Sequence, residues 1–157
     1  MLTKGGPMPI CNHLGIVVSD LERSKRFYQD VLGFRVWYED ASVPDAAVGK
    51  LLGLQAPLAA ELCYLVLDGY AVELISYAAP EAQVQSRERT MSETGLSHLS
   101  VSVDDIRQAA ALAVERGGSI VESSDLGIAL MVRDPDGQLI ELLTQDYPNG
   151  RPPRPGA

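Results

Sequence analysis

The stretch Asn12-His13-Leu14-Gly15-Ile16-Val17-Val18-Ser19-Asp20-Leu21 decides the fold, because a similar stretch follows 85 positions later. The second copy reads Ser97-His98-Leu99-Ser100-Val101-Ser102-Val103-Asp104-Asp105-Ile106, and the two copies contain both histidines of the chain. A second pair of similar segments closes each copy: Ala71-Val72-Glu73-Leu74-Ile75 and Leu139-Ile140-Glu141-Leu142-Leu143. The chain therefore consists of two modules with one plan.

The first copy has the pattern of a βαβββ module. Leu14, Ile16 and Val18 alternate with other residues as in a strand that has two different faces. Ser19 and Asp20 offer side-chain oxygens to a helix N-terminus, and Glu22 follows Ser19 at the spacing of a capping box. The pattern predicts a helix at Leu21–Leu32 that ends at Gly33, strands at Phe34–Tyr38, Leu62–Leu67 and Ala71–Tyr77, and a hairpin turn at Asp68-Gly69.

The second copy repeats this order of elements. A strand is followed by a helix whose N-cap is Asp104 or Asp105, and Gly117-Gly118 ends the helix. Turn residues at Asp134-Pro135-Asp136-Gly137 separate the last two strands. The predicted elements are a strand at Leu99–Val103, a helix at Ile106–Glu115, and strands at Ser119–Ser123, Ile128–Arg133 and Gln138–Leu143.

The predicted fold class is α+β, with two tandem βαβββ modules in one domain. The first module covers 11–78, the second covers 95–146, and a proline-rich tail occupies 147–157. The first module carries 17 extra residues in an insertion at about 39–60. This insertion is either a surface loop with a short helix or a lid over a site, since long loops in compact domains often bind ligands.

Composition excludes some partners. The net charge of −8 argues against nucleic acids and anionic membranes, which attract clustered Lys and Arg. No apolar run is long enough to span a membrane, and the N-terminus lacks the apolar core of a signal peptide, so we expect a cytoplasmic protein. Cys11 and Cys63 are too few for a disulfide framework and are expected to be reduced.

Strand alternation places the histidines and two glutamates on faces of the strands that do not pack against the helices. His98, Ser100 and Ser102 share one face of their strand, which indicates a wet cleft. Glu73 and Glu141 are each flanked by apolar residues, so burying either carboxylate is costly unless it meets a cation.

Two His and two Glu at equivalent places in a repeat therefore predict four ligands of one divalent metal ion, shared between the modules: His13, Glu73, His98 and Glu141. Imidazole and carboxylate ligands suit Zn, Ni, Co, Mn or Fe(II). Any one of the four alone is more simply read as a partly buried histidine or a solvated glutamate. Their register across the repeat favours the metal interpretation.

Several other residues are weaker candidates for substrate binding: Ser100, Ser102, Tyr64 and Arg133. Arg133 either meets an anionic substrate group or braces the turn that begins at Asp134. The aromatic residues in and beside the strands of the first module either pack in the core or line a pocket; they are Trp37, Tyr38, Tyr64, Tyr70 and Tyr77.

Three runs of sequence resemble the vicinal oxygen chelate superfamily, also called the glyoxalase/bleomycin resistance/extradiol dioxygenase superfamily. They are His13 to Leu21, Phe27 to Phe34 and Asp134 to Leu142. The resemblance implies paired modules whose sheets form a half-open cup around a divalent metal that chelates two neighbouring substrate oxygens. The ligands of glyoxalase I match His13, Glu73, His98 and Glu141, and Glu73 favours glyoxalase I over methylmalonyl-CoA epimerase, where Gln is typical.

The resemblance implies a metal-dependent lyase, isomerase or epimerase of glyoxalase type. Such an enzyme acts on a small carbonyl or thioester substrate through an enediolate or enolate. By this analogy Glu141 is a ligand that doubles as the base, and Glu73 is its partner. Two alternatives stay open: a protein that sequesters an antibiotic, as bleomycin resistance proteins do, and an Fe(II) dioxygenase. A homodimer is expected, and the metal site is built either within one chain or across two.

Overall fold

The computed structural model describes residues 9–40, 44–55, 57–79 and 87–147. Within these ranges the chain forms two four-stranded mixed sheets and three helices. The elements of the first module are β1 at Leu14–Val17, α1 at Leu21–Leu32, β2 at Arg35–Asp40, α2 at Asp45–Leu52, β3 at Ala60–Leu67 and β4 at Tyr70–Tyr77. Those of the second module are β5 at His98–Val103, α3 at Ile106–Glu115, β6 at Ser119–Ile120, β7 at Ala129–Arg133 and β8 at Leu139–Thr144.

Both sheets have the same topology. The strand order is β1-β4-β3-β2 in the first sheet and β5-β8-β7-β6 in the second. In each sheet the first strand of the module runs parallel to the last, and the other pairs are antiparallel. The predicted α+β fold with two tandem βαβββ modules is confirmed.

The helix bounds predicted from the sequence are those observed. Helix α1 begins after Asp20, whose carboxylate accepts a hydrogen bond from the backbone amide of Arg23, and it ends at Gly33 with a left-handed φ of 80°. Ser19 was expected to share in this capping. Its amide and hydroxyl instead donate to Asp136 of the other module, so Asp20 is the N-cap.

Strand β6 is shorter than the sequence pattern predicts. It covers only Ser119–Ile120 and is followed by a 3₁₀ turn at Glu122–Ser124. The hydroxyl of Ser124 donates to the carbonyl oxygen of Val121 and accepts from the amide of Met131. These side-chain hydrogen bonds replace the ladder that a longer strand would make.

The two modules pack through their helices. Helix α1 lies on β3 and β4, helix α3 lies on the strands of the second sheet, and the two helices contact each other. One core cluster accordingly contains buried residues of both modules, among them Phe27 and Tyr28 of α1 and Ala110 and Ala113 of α3. The helices therefore cover one face of each sheet, and the opposite faces carry the polar side chains predicted above.

The turn between β7 and β8 ties the second module to the first. The carboxylate of Asp136 accepts hydrogen bonds from Ser19 and from the guanidinium of Arg23. Asp134 is almost fully buried and accepts from the Tyr28 hydroxyl and from the amides of Asp136 and Gln138. Burial is the main reason that the pKa of Asp134 is raised.

The insertion of the first module contains the short helix that was expected, α2. Whether the insertion acts as a lid stays a prediction, and residues 148–157 of the predicted tail lie outside the described residues. Cys11 is exposed and Cys63 is buried, and the two are not joined by a disulfide. In the described part of the chain, no helix has the length and apolar character that a membrane crossing requires.

Candidate metal centre

The first histidine and the first glutamate meet on the open face of the first sheet. Val72 and Leu74 of β4 are buried under α1, so alternation turns Glu73 to the opposite face. There Glu73 Oε2 lies 3.2 Å from Nε2 of His13. Only 12% of the Glu73 side chain is exposed.

Neighbouring side chains orient both members of this pair. His13 Nδ1 lies 2.7 Å from Oδ1 of Asn12, so the Asn12 side chain fixes the orientation of the ring. The Tyr64 hydroxyl donates to Glu73, and the Tyr64 ring meets the His13 ring edge-on with 5.1 Å between centroids. Burial, followed by this hydrogen bond, raises the pKa of Tyr64 to about 12. Nε2 of His13 is thereby held toward Glu73, where a proton or a metal ion satisfies both atoms.

The second pair is built in the same way from different side chains. His98 Nε2 lies 3.7 Å from Oε2 of Glu141, whose side chain is 31% exposed. The Ser100 hydroxyl donates to Glu141 Oε2 at 2.7 Å. The Ser97 hydroxyl lies 2.9 Å from Nδ1 of His98. Ile140 and Leu142 on the other face of β8 are buried.

The four predicted ligands are therefore brought together as two pairs. Among the described residues, no group of three or more His, Cys, Asp or Glu side chains has the geometry to hold a metal ion. Each pair offers one imidazole and one carboxylate, a donor set that Zn, Mn, Ni, Co and Fe(II) accept, but two ligands leave most of a coordination sphere open. In the described part of one chain, the four side chains thus lie as two pairs rather than as one cluster.

The weaker candidates divide into two groups. Tyr64 and Ser100 contact the glutamates, as described, and Ser102 lies on the Ser100 face of β5. Arg133 donates instead to the carbonyl oxygens of Arg89 and Gly137, so its guanidinium braces the segment that enters the second module. Sequence reasoning missed Asn12 and Ser97, although a polar residue directly before each histidine is a visible signal.

A groove of about 380 Å³ separates the two modules near β1. Its walls include Leu14 to Val17 of β1, the side chains of Arg87, Arg89 and Leu96, and His98 at the start of β5. Leu14, Val17 and Leu96 are exposed. Strand β1 pairs with β4 alone among the described strands, so its other edge faces this groove.

Comparison with sequence families gives one match that spans most of the chain. A model of the Glyoxalase/Bleomycin resistance protein/Dioxygenase superfamily matches residues 10–142. The chain is also 32% identical over 143 residues to the uncharacterized protein YaeR of Escherichia coli strain K12, an alignment that covers 85% of this chain and 95% of YaeR.

Solved structures share the fold. A glyoxalase family protein from Bacillus cereus superposes with a TM-score of 0.74 at 19% identity, over 91% of this chain and 98% of that chain. The trypanothione-dependent glyoxalase I of Leishmania major gives 0.59 at 24% identity, over 85% and 84%. A variant of the fosfomycin resistance protein FosX from Listeria monocytogenes, complexed with Mn(II) and a dihydroxypropylphosphonic acid, gives 0.59 at 14% identity, over 90% and 96%.

Proposed function

Because the chain belongs to the Glyoxalase/Bleomycin resistance protein/Dioxygenase superfamily, we propose that it is a metal-dependent lyase, isomerase or epimerase of glyoxalase type. Its substrate is a small carbonyl or thioester compound. The observation that carries this proposal is the pair of His–Glu contacts at repeat-equivalent positions, His13 with Glu73 and His98 with Glu141. A sequestering protein needs neither pair.

The metal site is completed by a second copy of the chain. The first pair of one protomer and the second pair of its partner together supply two imidazoles and two carboxylates, which are ligand types that these divalent ions accept. The arrangement is supported by the absence, among the described residues of one chain, of any group of three or more such side chains that could hold a metal ion. The ion is Zn, Ni, Co, Mn or Fe(II).

The edge of β1 is where we expect the partner to dock. An exposed strand edge pairs readily with another chain, and here it carries the exposed apolar side chains of Leu14 and Val17. The neighbouring groove has mostly apolar walls. Strand β5 is likewise an end strand of its sheet, so a two-fold contact of β1 with the partner's β5 would bring unlike pairs together twice.

A bound divalent ion polarises a substrate carbonyl and so acidifies the neighbouring C–H bond. The chain itself supplies the base. Glu141 fits this role because its carboxylate is the more exposed of the two and is held by a single small hydroxyl, that of Ser100. Glu73 is packed against Tyr64 and His13 and is suited to a fixed position.

A heterodimer experiment tests the shared site. One chain carries His13→Ala with Glu73→Ala, the other carries His98→Ala with Glu141→Ala, and different tags without histidines allow the mixed dimer to be isolated. In a shared arrangement the mixed dimer keeps one intact site out of two, since each site takes one pair from each protomer. Elemental analysis should find about half of the wild-type metal content in the mixed dimer and almost none in either variant homodimer.

Other outcomes overturn parts of the proposal. If the mixed dimer binds no metal while the wild type does, the ligands are not shared in this way. If each variant homodimer keeps half of the metal, each pair binds an ion by itself. If the wild type stays empty when metal is offered, the catalytic proposal fails, and the exposed aromatic side chains beside His13 then favour a protein that binds and sequesters a ligand.

A further inference from the structure

A bulge in β2 places an additional aromatic side chain on the open face of the first sheet. Val36 pairs with Leu65 and Tyr38 pairs with Tyr64, so Trp37 has no partner of its own in the ladder. Bulges of this kind redirect a side chain and are common beside functional sites. The rings of Trp37 and Tyr38 both contact Tyr64, with centroid separations of 6.0 and 6.2 Å. Both therefore lie on the Tyr64 side of the sheet.

This aromatic wall, consisting of Trp37, Tyr38 and Tyr64, is continuous with the first His–Glu pair. The register aligns Tyr38, Tyr64, Glu73 and Gly15 in one row across four strands. Tyr64 contacts both His13 and Glu73. Two strand spacings separate Glu73 from Tyr38, so the far end of the wall lies on the order of 10 Å from the carboxylate.

The wall is open and belongs to the first module alone. Trp37 is 70% exposed and Tyr38 is 49% exposed, a large apolar area to leave in contact with water. In the second module the residue paired with Glu141 is Met131, and the two-residue strand β6 carries Ser119 and Ile120. A ligand that contacts both His–Glu pairs thus meets aromatic rings beside the first pair only.

We propose that Trp37, Tyr38 and Tyr64 form a subsite for a planar apolar group of the substrate. This group extends along the wall to about 10 Å from the Glu73 carboxylate, as set by the strand spacing. The proposal rests on the proposed function, because it takes the metal-binding oxygens as the other end of the substrate. It identifies the substrate class as an aromatic or otherwise flat compound with two neighbouring oxygens.

Trp37 is the single tryptophan of the chain, so intrinsic fluorescence reports directly on this subsite. The metal-loaded protein is titrated with biphenyl-4-carbohydroxamate and with acetohydroxamate, which present the same two chelating oxygens and differ in the aromatic group. Affinities are measured by calorimetry. The biphenyl compound should bind at least about tenfold more tightly and should quench or shift the Trp37 emission, since ring stacking adds to the burial of apolar area.

Trp37→Leu should reduce the preference for the biphenyl compound by about threefold to tenfold and leave acetohydroxamate binding unchanged. Tyr70→Leu is the matched control. Tyr70 is an exposed aromatic residue of β4 that lies on the Val72 and Leu74 side of the strand, opposite Glu73. This variant should keep the full preference.

Four outcomes would overturn the subsite. Equal affinities for the two hydroxamates would show that no aromatic subsite exists, although the metal site could still be intact. An aromatic preference that Trp37→Leu does not reduce would place the apolar group elsewhere. Unchanged Trp37 emission on tight biphenyl binding would do the same. If elemental analysis finds no metal and neither hydroxamate binds, the proposed function itself fails and the subsite fails with it.

Discussion

The two modules follow the same path, but they hold their glutamates from opposite sides. In the first sheet Glu73 is aligned between Gly15 on β1 and Tyr64 on β3, and Tyr64 supplies the hydrogen bond. In the second sheet Glu141 is aligned between Ser100 on β5 and Met131 on β7, and Ser100 supplies it. Gly15 and Ser100 are equivalent positions of the repeat.

This difference suits Glu73 and Glu141 to different roles. A phenol that also packs on His13 fixes Glu73 among large rings, whereas a small hydroxyl leaves Glu141 more open. A fixed position suits the ligand role that we propose for Glu73, and a more accessible carboxylate suits the proton transfer that we propose for Glu141.

The largest expected effect is a loss of stability when alanine replaces one of two glycines. They are Gly33 and Gly118, which occupy equivalent positions of the repeat. A Cβ on Gly118 would lie 2.2 Å from the carbonyl oxygen of Arg133 and 2.8 Å from the Phe27 ring, whereas one on Gly33 meets nothing within 4 Å. Gly118→Ala should lower the free energy of unfolding by about 3 kcal/mol. Gly33→Ala should lower it by about 1 kcal/mol, because Ala is strained at positive φ. Urea unfolding measures both, and equal losses would contradict the asymmetry.

The comparison of the glutamates is tested by removing each hydroxyl. Tyr64→Phe and Ser100→Ala should each weaken metal binding by about tenfold, as is usual when a partner that orients a ligand is lost. Tyr70→Phe and Ser102→Ala are the controls. Each removes a hydroxyl of the same type but keeps the hydrogen bond that positions Glu73 or Glu141. Competition with a chelator of known affinity measures the change. Unchanged affinity in Tyr64→Phe would mean that this phenol does not position Glu73.

The smallest expected effect is a pH dependence of stability. It arises from a difference between the two modules in the turn that joins their last two strands. The first module uses the two-residue turn Asp68-Gly69, and the second uses a longer turn with the buried Asp134. Because burial raises the pKa of Asp134, the folded state holds the proton more tightly than the unfolded state, whose value is near 3.8. The stability due to protonated Asp134 is therefore present at low pH and is lost as pH rises through the folded pKa.

Asp134→Asn keeps the shape of this side chain and removes its titration. The unfolding free energy of the wild type, relative to that of the variant, should fall as pH rises from about 3.8 through the folded pKa and then level off. Urea unfolding at a series of pH values measures the difference. If the unfolding free energy of the wild type instead rose relative to that of the variant, the pKa of Asp134 would be lowered in the folded state. Hydrogen bonding, rather than burial, would then dominate this pKa.

The sequence by itself determined the local structure and the faces of the strands. The bounds of α1 and α3 and the hairpin at Asp68-Gly69 follow from period and capping, and strand alternation predicts the open face for the histidines and the two glutamates. The assignment of these four side chains to one metal ion remains a prediction.

Only the tertiary structure decided which faces meet. The hydrogen bonds from Ser19 to Asp136 span 117 positions, the bulge at Trp37 depends on the register of two strands, and helices of the two modules pack on each other. Periodicity tells which side of an element is apolar, but many packings can bury the same apolar faces. The choice among them depends on close packing between segments that are distant in sequence.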